Sequence, residues 1–388
     1  MGEPDEPPYE EEELAEPDHI SVWVRVRPLS AAEADNRINW KLADARTIQQ
    51  VSPQTGVVLP GSGNTFKFDE VFNNDIGNEE VYEVAARDVV LRVLEGYNGT
   101  VLAYGQTSSG KTHTMIGTGD EPGVIPRAVS DIFANSTNIP GWSFKMRVSY
   151  MELYNEDFFD LLMPGNKLEL REDPDKGVFV TGLNEEEVES AQDVLDLMAR
   201  GQRNRRVGET NMNKCSSRSH AIFRMIIRSS EIDETGAPEG SELESVLTLV
   251  DLAGSERASK SGGDTARLKE GVSINKSLSV LGYVIMKLSE GVEQSGGHIP
   301  YRDSKLTRIL QPSLGGNAFT AVICAVTPSE AQAEETKSTL QFAARAKQVQ
   351  VDAKVNELLS PRERERRTNA EALERTSVDL SAMRKQLA

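Results

Sequence analysis

A glycine-rich octapeptide carries the strongest chemical signal in the sequence. It runs from Gly105 to Thr112 as Gly-Gln-Thr-Ser-Ser-Gly-Lys-Thr and satisfies the phosphate-loop pattern G-x-x-x-x-G-K-(S/T). The apolar run Val101–Ala103 precedes it and a helix start follows. Glycines let the backbone curl so that successive N–H groups face a phosphate. Lys111 is expected to reach the β- and γ-phosphates, and the Thr112 hydroxyl to ligate Mg²⁺.

A second element, Asp251-Leu-Ala-Gly254, ends the buried run Val246–Val250. An acidic residue at the end of a strand can hold the magnesium shell, and the Gly254 N–H can contact a γ-phosphate. The pattern is weak alone, but together with the phosphate loop it predicts hydrolysis of a nucleoside triphosphate. The Asn-Lys-x-Asp signature with which Ras-type GTPases read guanine is missing from the sequence, so ATP is the expected nucleotide.

Short apolar runs alternate with longer amphipathic stretches from His19 onward. The runs are rich in β-branched residues and have strand length, whereas the stretches repeat with a helical period. This predicts an α/β P-loop NTPase with a central, mostly parallel twisted sheet flanked by helices on both faces. Thr210–Ser219 and Ala253–Asp264 are polar and too long for simple turns, so functional loops are expected there. Strands are predicted at Ser21–Val26, Thr100–Ala103, Met146–Met151, Ala221–Ile227, Val246–Leu252 and Ala321–Val326, and helices at Val81–Leu94, Val188–Gly201, Arg267–Leu288 and Lys337–Lys347.

Charge and composition narrow the classes of partner. The chain has 388 residues and a formal net charge of −18. Because nucleic-acid binding depends on neutralising phosphates, a general nucleic-acid binder is disfavoured. No apolar run approaches the roughly 20 residues that cross a bilayer, so membrane insertion is not expected. Two cysteines and four scattered histidines give neither a disulfide framework nor metal-ligand spacing, and a reducing intracellular compartment is expected.

The two ends of the chain differ from the rest. Residues 1–18 hold nine Asp or Glu and no Lys or Arg. They are expected to be disordered, either as a solvated leader or as a charged regulatory arm. Near the other end, a seam of about two heptads predicts the start of a coiled coil or a solitary amphipathic helix. The seam consists of Leu373, Thr376, Leu380, Met383 and Leu387.

Longer stretches around these motifs resemble the motor domain of kinesins, from about Ile20 to Asn356. The resemblance implies the kinesin motor fold and a microtubule-stimulated ATPase that uses ATP and Mg²⁺. It also implies the α/β-tubulin microtubule as partner, and a location in the cytoplasm on the cytoskeleton, with the mitotic spindle and kinetochore as candidate sites. The matching segments are Arg25–Pro28, Tyr97–Met115 (phosphate loop), Asn213–His220 (switch I), Asp251–Glu256 (switch II) and Tyr301–Arg308. Leu268–Asn275, Arg147–Asn155 and Met383–Leu387 most resemble the centromere-associated kinesin class.

The resemblance also implies a role for each residue of the nucleotide site. Arg25, Pro28 and His113 would form the adenine pocket, with Pro28 and His113 packing on the base. The implied ATP-binding residues are Arg25, Pro28, Gly105, Gln106, Thr107, Ser108, Ser109, Gly110, Lys111, Thr112 and His113.

Metal binding and catalysis are assigned in the same way. Thr112 and Ser219 would lie near Mg²⁺, with Asp251 acting through water. Arg218 and Glu256 would form the ion pair that closes the switches around the γ-phosphate and positions the attacking water. The implied catalytic residues are Arg218, Ser219, Gly254 and Glu256.

An acidic motor must concentrate basic residues on one face, because tubulin surfaces are acidic. The resemblance places two basic groups on that face, flanking a long relay helix at whose start Asn275 would help to sense the switch state. Arg171 and Lys176 fall in a segment that resembles a third contact loop. The expected microtubule-binding residues are Lys260, Lys269, Arg302, Lys305 and Arg308.

Gln348–Asn356 resembles a kinesin neck linker, which docks along the core after ATP binds, with Asn356 as its latch. Val351 stands where many kinesins have Asn. A linker that follows the motor implies movement to the microtubule plus end. The predicted organisation is an acidic leader (1–18), a motor domain (19–347), a neck linker (348–358) and the start of a neck coiled coil (359–388). The full-length protein is expected to dimerise through a stalk, and this fragment to be mostly monomeric.

Two other interpretations stay open from the sequence. One is a microtubule-binding regulator or tether with the same nucleotide site that hydrolyses slowly and does not walk. The other is a P-loop GTPase without motor activity, which a preference for GTP would revive.

Overall fold

The computed structural model describes residues 18–173, 177–212, 216–256, 265–292 and 296–358, with side chains at 62, 207–216, 238–241 and 265–275 left undescribed. The predicted leader, apart from Asp18, and the neck helix predicted over 359–388 lie outside the described residues. Within the described ranges, no helix combines the length and the apolar character needed to cross a bilayer.

The predicted strands are all confirmed, and most are longer than expected. The strands are β1 (Ser21–Val26), β2 (Trp40–Asp44), β3 (Thr47–Gln50), β4 (Thr65–Lys67), β5 (Glu70–Phe72), β6 (Gly99–Tyr104), β7 (Trp142–Tyr154), β8 (Asp157–Asp160), β9 (Glu169–Asp173), β10 (Gly177–Thr181), β11 (Glu186–Val188), β12 (His220–Ile232), β13 (Pro238–Asp251) and β14 (Phe319–Val326). The helices are α1 (Asn78–Ala85), α2 (Arg87–Leu91), α3 (Lys111–Met115), α4 (Val124–Ser136), α5 (Ala191–Met212), α6 (Thr265–Ser289), α7 (Lys305–Ile309) and α8 (Ala333–Ala346).

The central sheet of the described chain has nine strands and is mixed. Its order is β11-β7-β12-β13-β6-β14-β1-β5, with β8 paired to β7. Strands β13, β6, β14, β1 and β5 pair in parallel, whereas β8, β7, β11, β12 and β13 pair antiparallel. The expectation of a mostly parallel sheet therefore holds for one half only. In the other half, a tight turn around Asp233 and Gly236 joins β12 directly to β13, and such hairpins force antiparallel pairing.

Helices cover both faces of this sheet, as predicted. On one face, Val22 of β1 is fully buried in a cluster to which α6 contributes Leu281 and α8 contributes Leu340. On the other face, Ile132 of α4 and Val194 of α5 belong to a second buried cluster. Because successive side chains of a strand point to opposite faces, each central strand supplies apolar residues to both clusters.

Two helical predictions need correction, and one longer helix was not predicted. The stretch predicted as one helix over Val81–Leu94 divides into α1, α2 and a short 3₁₀ turn. Helix α5 continues to Met212, so it enters the loop predicted at Thr210–Ser219. Helix α4 was not predicted; Pro126 lies in its first turn, where the missing N–H of proline costs no hydrogen bond.

A buried ion pair joins β7, α5 and the start of β12. The Glu152 and Arg205 side chains are each 4% exposed, and Oε1 of Glu152 lies 3.2 Å from Nε of Arg205. The Ser219 hydroxyl donates to Glu152 Oε1 at 2.6 Å. Nη2 of Arg205 donates to the carbonyl oxygen of Ser219 at 3.2 Å and lies 3.0 Å from its hydroxyl. The pair therefore fixes the backbone just before β12.

We predict that Arg205→Met lowers the free energy of unfolding by about 3–5 kcal/mol, because it leaves the Glu152 carboxylate buried without its cation. Urea denaturation of the purified chain measures this. Arg203→Met, an exposed position on the same helix, serves as the control and should change stability by less than about 0.5 kcal/mol. Equal stabilities of the two variants would contradict the prediction.

Candidate nucleotide-binding site

The carboxyl ends of the parallel strands bring the sequence motifs together. β6 leads into the glycine-rich loop, and its neighbours β13 and β14 end beside it. Gly105 has φ of +147°, and a Cβ there would lie 2.2 Å from the carbonyl oxygen of Ala325. Gly110 caps the N-terminus of α3 with φ of +107°. Glycine is therefore required where the loop leaves β6 and where it enters α3.

Lys111 lies inside this loop and is 7% exposed. Its Nζ donates to the carbonyl oxygen of Gln106 at 2.7 Å. Burial lowers the pKa of Lys111, while the nearby Asp251 and Glu256 oppose that shift. A bound polyanion would favour the charged form, since opposite charges attract strongly in such a low-dielectric site.

Thr112 and Asp251 form the part of the site that fits a magnesium ion. The Thr112 hydroxyl donates to Oδ2 of Asp251 at 2.6 Å. Asp251 is 3% exposed, and burial raises the pKa of its carboxyl. Its other oxygen, Oδ1, is buried without a hydrogen-bond partner among the described residues. Hydroxyl and carboxylate oxygens are the donors that Mg²⁺ and its water shell use, so these residues fit the ion.

The loop after β13 is bonded to both neighbouring loops. The backbone N–H of Gly254 donates to the carbonyl oxygen of Ser217 at 2.8 Å, and that of Ser255 to Gly105 at 3.1 Å. Both carboxylate oxygens of Glu256 accept from Thr107, one of them from its backbone N–H at 2.7 Å. This geometry holds the sequence-predicted switch II against the phosphate loop.

Of the two predicted switch I residues, Ser219 makes the better-defined contacts. It is buried, and its hydroxyl belongs to the Glu152–Arg205 network. Arg218 is half-buried in a short 3₁₀ turn that ends one residue earlier. The proximity of Ser219 to Mg²⁺ and the ion pair of Arg218 with Glu256 stay predictions.

The predicted adenine pocket divides into a buried and an exposed part. Arg25 is 9% exposed, and its guanidinium donates to Asn78, to the Thr114 hydroxyl at 2.9 Å and to a backbone carbonyl. Asn78 in turn donates to the carbonyl oxygen of His113 at 3.0 Å. Pro28 and His113 are exposed at the surface of the site. Arg25 therefore anchors the helix that carries His113 and leaves the two base-packing candidates accessible.

Sequence reasoning missed the role of Arg27, although it lies in a quoted motif. Its Nε donates to the carbonyl oxygen of Ser108 at 2.7 Å. Ser108 has φ of +61°, which is uncommon for a residue other than glycine. Glu33 accepts from both terminal nitrogens of Arg27, and this hydrogen-bonded pair lowers the pKa of Glu33 to about 2. Arg27 thus supports the tip of the phosphate loop.

His220 was also quoted without a role. It is 2% exposed, and its two ring nitrogens contact the backbone N of Ala253 and the Ser277 hydroxyl. Burial, with the nearby cations Arg205 and Lys111, lowers its pKa to about 3, so the ring is neutral. Its place in the predicted switch I motif indicates a functional residue, but its contacts with the distant Ala253 and Ser277 are visible only in the structure.

Three of the predicted microtubule-binding residues lie beside acidic side chains. Arg302 and Arg308 each contact Oε2 of Glu172 at 3.1 Å, and their side chains are 74% and 24% exposed. Lys305 lies 3.2 Å from Asp157. Lys260, and Lys176 of the predicted third contact loop, fall outside the described residues. Lys269, and Asn275 as the predicted switch sensor, lie on the part of α6 without described side chains.

The predicted neck linker runs along the end of the sheet. Ile20 donates its backbone N–H to Val349 at 2.9 Å, and Val351 donates to Asp18 at 2.7 Å. Val351 is 5% exposed, so its apolar side chain is buried at this position.

Asn356 is held by several hydrogen bonds. Its Nδ2 donates to the carbonyl oxygen of Gly96 at 2.9 Å, and its Oδ1 accepts from Asn317 at 2.8 Å. Its backbone carbonyl accepts from Glu244 of β13.

Several known proteins have sequences similar to this one. A family model described as the kinesin motor domain matches residues 25–349. Kinesin-like protein KIN-7O of Arabidopsis thaliana is 50% identical over 375 residues, which are 95% of this chain and 28% of that protein. Kinesin-like protein KIN-7L of Oryza sativa subsp. japonica is 49% identical, over 95% of this chain and 57% of its own length. Centromere-associated protein E of Homo sapiens is 45% identical, over 96% and 13%. The chain thus spans well under two thirds of the length of each of these relatives.

Solved structures agree with the fold. A fast kinesin, whose structure was described for its ATPase mechanism and interactions with microtubules, is 42% identical with a TM-score of 0.79, covering 88% of this chain and 95% of that one. The KIF14 dimer, with two heads bound to a microtubule and AMP-PNP, is 38% identical with a TM-score of 0.80, covering 90% and 99%. By its motifs, its fold and these similarities, the chain belongs to the kinesin motor family.

Proposed function

We propose that this chain is a microtubule-stimulated ATPase that couples ATP hydrolysis to movement toward the microtubule plus end. The observation that carries the catalytic part is Oδ1 of the buried Asp251, which has no hydrogen-bond partner among the described residues; its other oxygen accepts from the Thr112 hydroxyl, and the phosphate loop nearby holds a buried lysine. A buried carboxylate oxygen without a partner is costly unless a ligand completes it. Kinesin motor domains are its relatives and structural neighbours, and ATP with Mg²⁺ is the ligand that fits.

The residues of the site would act mainly through charge and position. The loop N–H groups and Lys111 would stabilise charge on the transferred phosphoryl group. Mg²⁺, when bound with the nucleotide, would neutralise charge on the β- and γ-phosphates, held by Thr112 with Asp251 behind it. Glu256 accepts from Thr107, so it would have to exchange that partner before it pairs with Arg218 and orders the attacking water. Ser219 would come close to Mg²⁺ when the switches close in this way.

Adenine is the proposed base, because the Asn-Lys-x-Asp signature that reads guanine is missing from the sequence. Pro28 and His113 are exposed, so their rings can pack on a base, with the His113 ring 3.4 Å from Glu121 through Nε2. Arg25 would hold this wall of the pocket in place through its buried hydrogen bonds.

We predict that Lys111→Ala and Glu256→Gln each reduce ATP turnover by about 100- to 1,000-fold, which is typical for loss of a group that stabilises the transition state. Lys111→Ala should also weaken binding of a fluorescent ATP analogue, whereas Glu256→Gln should retain it. Steady-state hydrolysis and equilibrium titration measure the two effects.

The control for these variants is Glu80→Gln, an exposed position on α1, which should behave as the wild type. Normal turnover in either site variant would refute the roles assigned to Lys111 and Glu256.

The microtubule contact is proposed for the basic face around α7, with Lys260 and Lys269 on the segment after switch II. Arg302 and Arg308 share the carboxylate of Glu172, and exposed ion pairs of this kind contribute only about 0–1 kcal/mol. An acidic tubulin surface could therefore displace Glu172 at little cost. Glu172 would then compete with tubulin for these two arginines.

We predict that Glu172→Gln lowers the Kd for microtubules by up to about fivefold, because it frees two arginines for tubulin. Arg302→Ala and Arg308→Ala should raise the Kd, and more so at low salt. Co-sedimentation at two ionic strengths measures both, with Glu80→Gln as the charge-matched control. Weaker binding of Glu172→Gln would place the contact elsewhere.

We propose movement toward the plus end because the predicted neck linker follows the motor domain along the chain. The described contacts of Val349, Val351 and Asn356 with the core support docking of residues 348–358, and Asp18–Ile20 supplies a short paired segment. Backbone addition of this kind gives affinity without a specific side chain, so Val351 can replace the Asn of many kinesins. We further propose dimerisation of the full-length protein through a stalk, a mostly monomeric fragment, and work on spindle microtubules.

We predict that Asn356→Ala slows microtubule gliding severalfold while ATP hydrolysis stays near the wild-type rate. The variant loses three side-chain hydrogen bonds, one of them long, which weakens docking by about 1–3 kcal/mol. Gliding of polarity-marked microtubules over surface-bound protein gives speed and direction.

Lys354→Ala is the matched control, since the Lys354 side chain contacts only the exposed Asp352 among the described contacts. Wild-type protein that hydrolyses ATP but leaves microtubules static would favour the tether. An unchanged gliding speed in Asn356→Ala would refute the latch.

A further inference from the structure

One imidazole ring connects three segments around the nucleotide loop. His220 is the first residue of β12 and is almost fully buried. Its Nδ1 lies 3.0 Å from the backbone N of Ala253, in the loop after β13. Its Nε2 lies 2.8 Å from the hydroxyl of Ser277 on α6. β12, the β13 loop and the long helix therefore meet at this side chain.

The donors around the ring determine which nitrogen carries the proton. A backbone N–H can only donate, so Nδ1 of His220 must accept from Ala253. A neutral imidazole then carries its proton on Nε2, which donates to the Ser277 hydroxyl. Both ring nitrogens are thus bonded, and the ring is held in one orientation between the loop and the helix.

The position of Ala253 gives this bridge a mechanical consequence. Ala253 precedes Gly254, whose N–H donates to Ser217 in this structure and is the group expected to contact a γ-phosphate. A phosphate that draws the Gly254 N–H away from Ser217 must also move the adjoining peptide of Ala253. Because the ring is buried in close-packed surroundings, a shift of Ala253 passes to Ser277 instead of being absorbed locally.

We propose that His220 is a positioning residue that couples the loop after β13 to α6, so that occupancy of the nucleotide site sets the state of the helix flanked by the basic groups. This inference rests on the proposed function, because it assumes that a nucleotide reaches Gly254. It adds the residue pair, His220 and Ser277, through which the two sites communicate.

The test measures the response of α6 to nucleotide without microtubules. Hydrogen–deuterium exchange of peptides covering residues 277–289 is followed with and without the non-hydrolysable analogue AMP-PNP. We expect the analogue to change amide protection in the wild type, and Ser277→Ala to lose most of that change while still binding the analogue. Alanine keeps the helix propensity, so the variant should fold. His220→Asn retains an acceptor near the position of Nδ1 but has no Nε2 donor, and it should lose the response in the same way.

A second readout separates coupling from simple loss of stability. We expect Ser277→Ala to keep basal ATP hydrolysis within twofold of the wild type. The factor by which microtubules stimulate hydrolysis should be at least tenfold smaller than in the wild type. A parallel fall in basal and stimulated rates would show a merely structural role. Ser279→Ala, an exposed serine on the same helix, is the matched control and should retain both responses.

Two results would overturn the inference: an α6 that does not respond to AMP-PNP in the wild type although the analogue binds, or a full response in Ser277→Ala. Failure of the proposed function is distinguishable, since it appears as absent binding of the analogue or as wild-type hydrolysis that microtubules do not stimulate.

Discussion

The buried ammonium group of Lys111 is the constraint on which the nucleotide site depends. A lysine that is 7% exposed loses most of its hydration, and its Nζ donates to the carbonyl oxygen of Gln106. We propose that this ammonium group and the N–H groups of the loop together bind a ligand that brings negative charge. Asp251 and Glu256 moderate the cost, yet Asp251 is itself buried, and one of its oxygens has no hydrogen-bond partner in the part of the chain that the structure describes. We propose that a phosphate with its metal ion satisfies the cation and the carboxylate better than they satisfy each other.

The mixed sheet explains how this charged site is held in place. Its parallel half aligns the ends of β6, β13 and β14, so that the phosphate loop and Asp251 lie at one edge. Its antiparallel half carries Glu152 on β7 to the same edge, where the ion pair with Arg205 fixes the backbone at Ser219. The buried ion pair, the Glu256–Thr107 contacts and the His220 bridge connect the start of β12, the phosphate loop and the loop after β13 to one another and to the core.

Much of the fold and the location of the site could be predicted from the sequence, because β-branched runs mark buried strands and the phosphate loop has a strict local pattern. The partners of the site residues could not. Glu152 and Arg205 are 53 positions apart, and Arg25 meets Thr114 across 89 positions, distances at which no local periodicity carries information. The end of α5 was also missed, since polar residues around Thr210 read as a loop although the helix continues to Met212. The hairpin at Gly236 was overlooked, and with it the antiparallel half of the sheet.

The central claim, that the buried nucleotide site drives work on an acidic track, is tested most directly by steady-state ATP hydrolysis with and without polymerised microtubules, at low and raised salt. We expect slow hydrolysis alone and a large stimulation by microtubules that weakens as salt screens the basic face. Appreciable hydrolysis that microtubules do not stimulate at either salt concentration would contradict the claim, because the nucleotide site would then work without the proposed track.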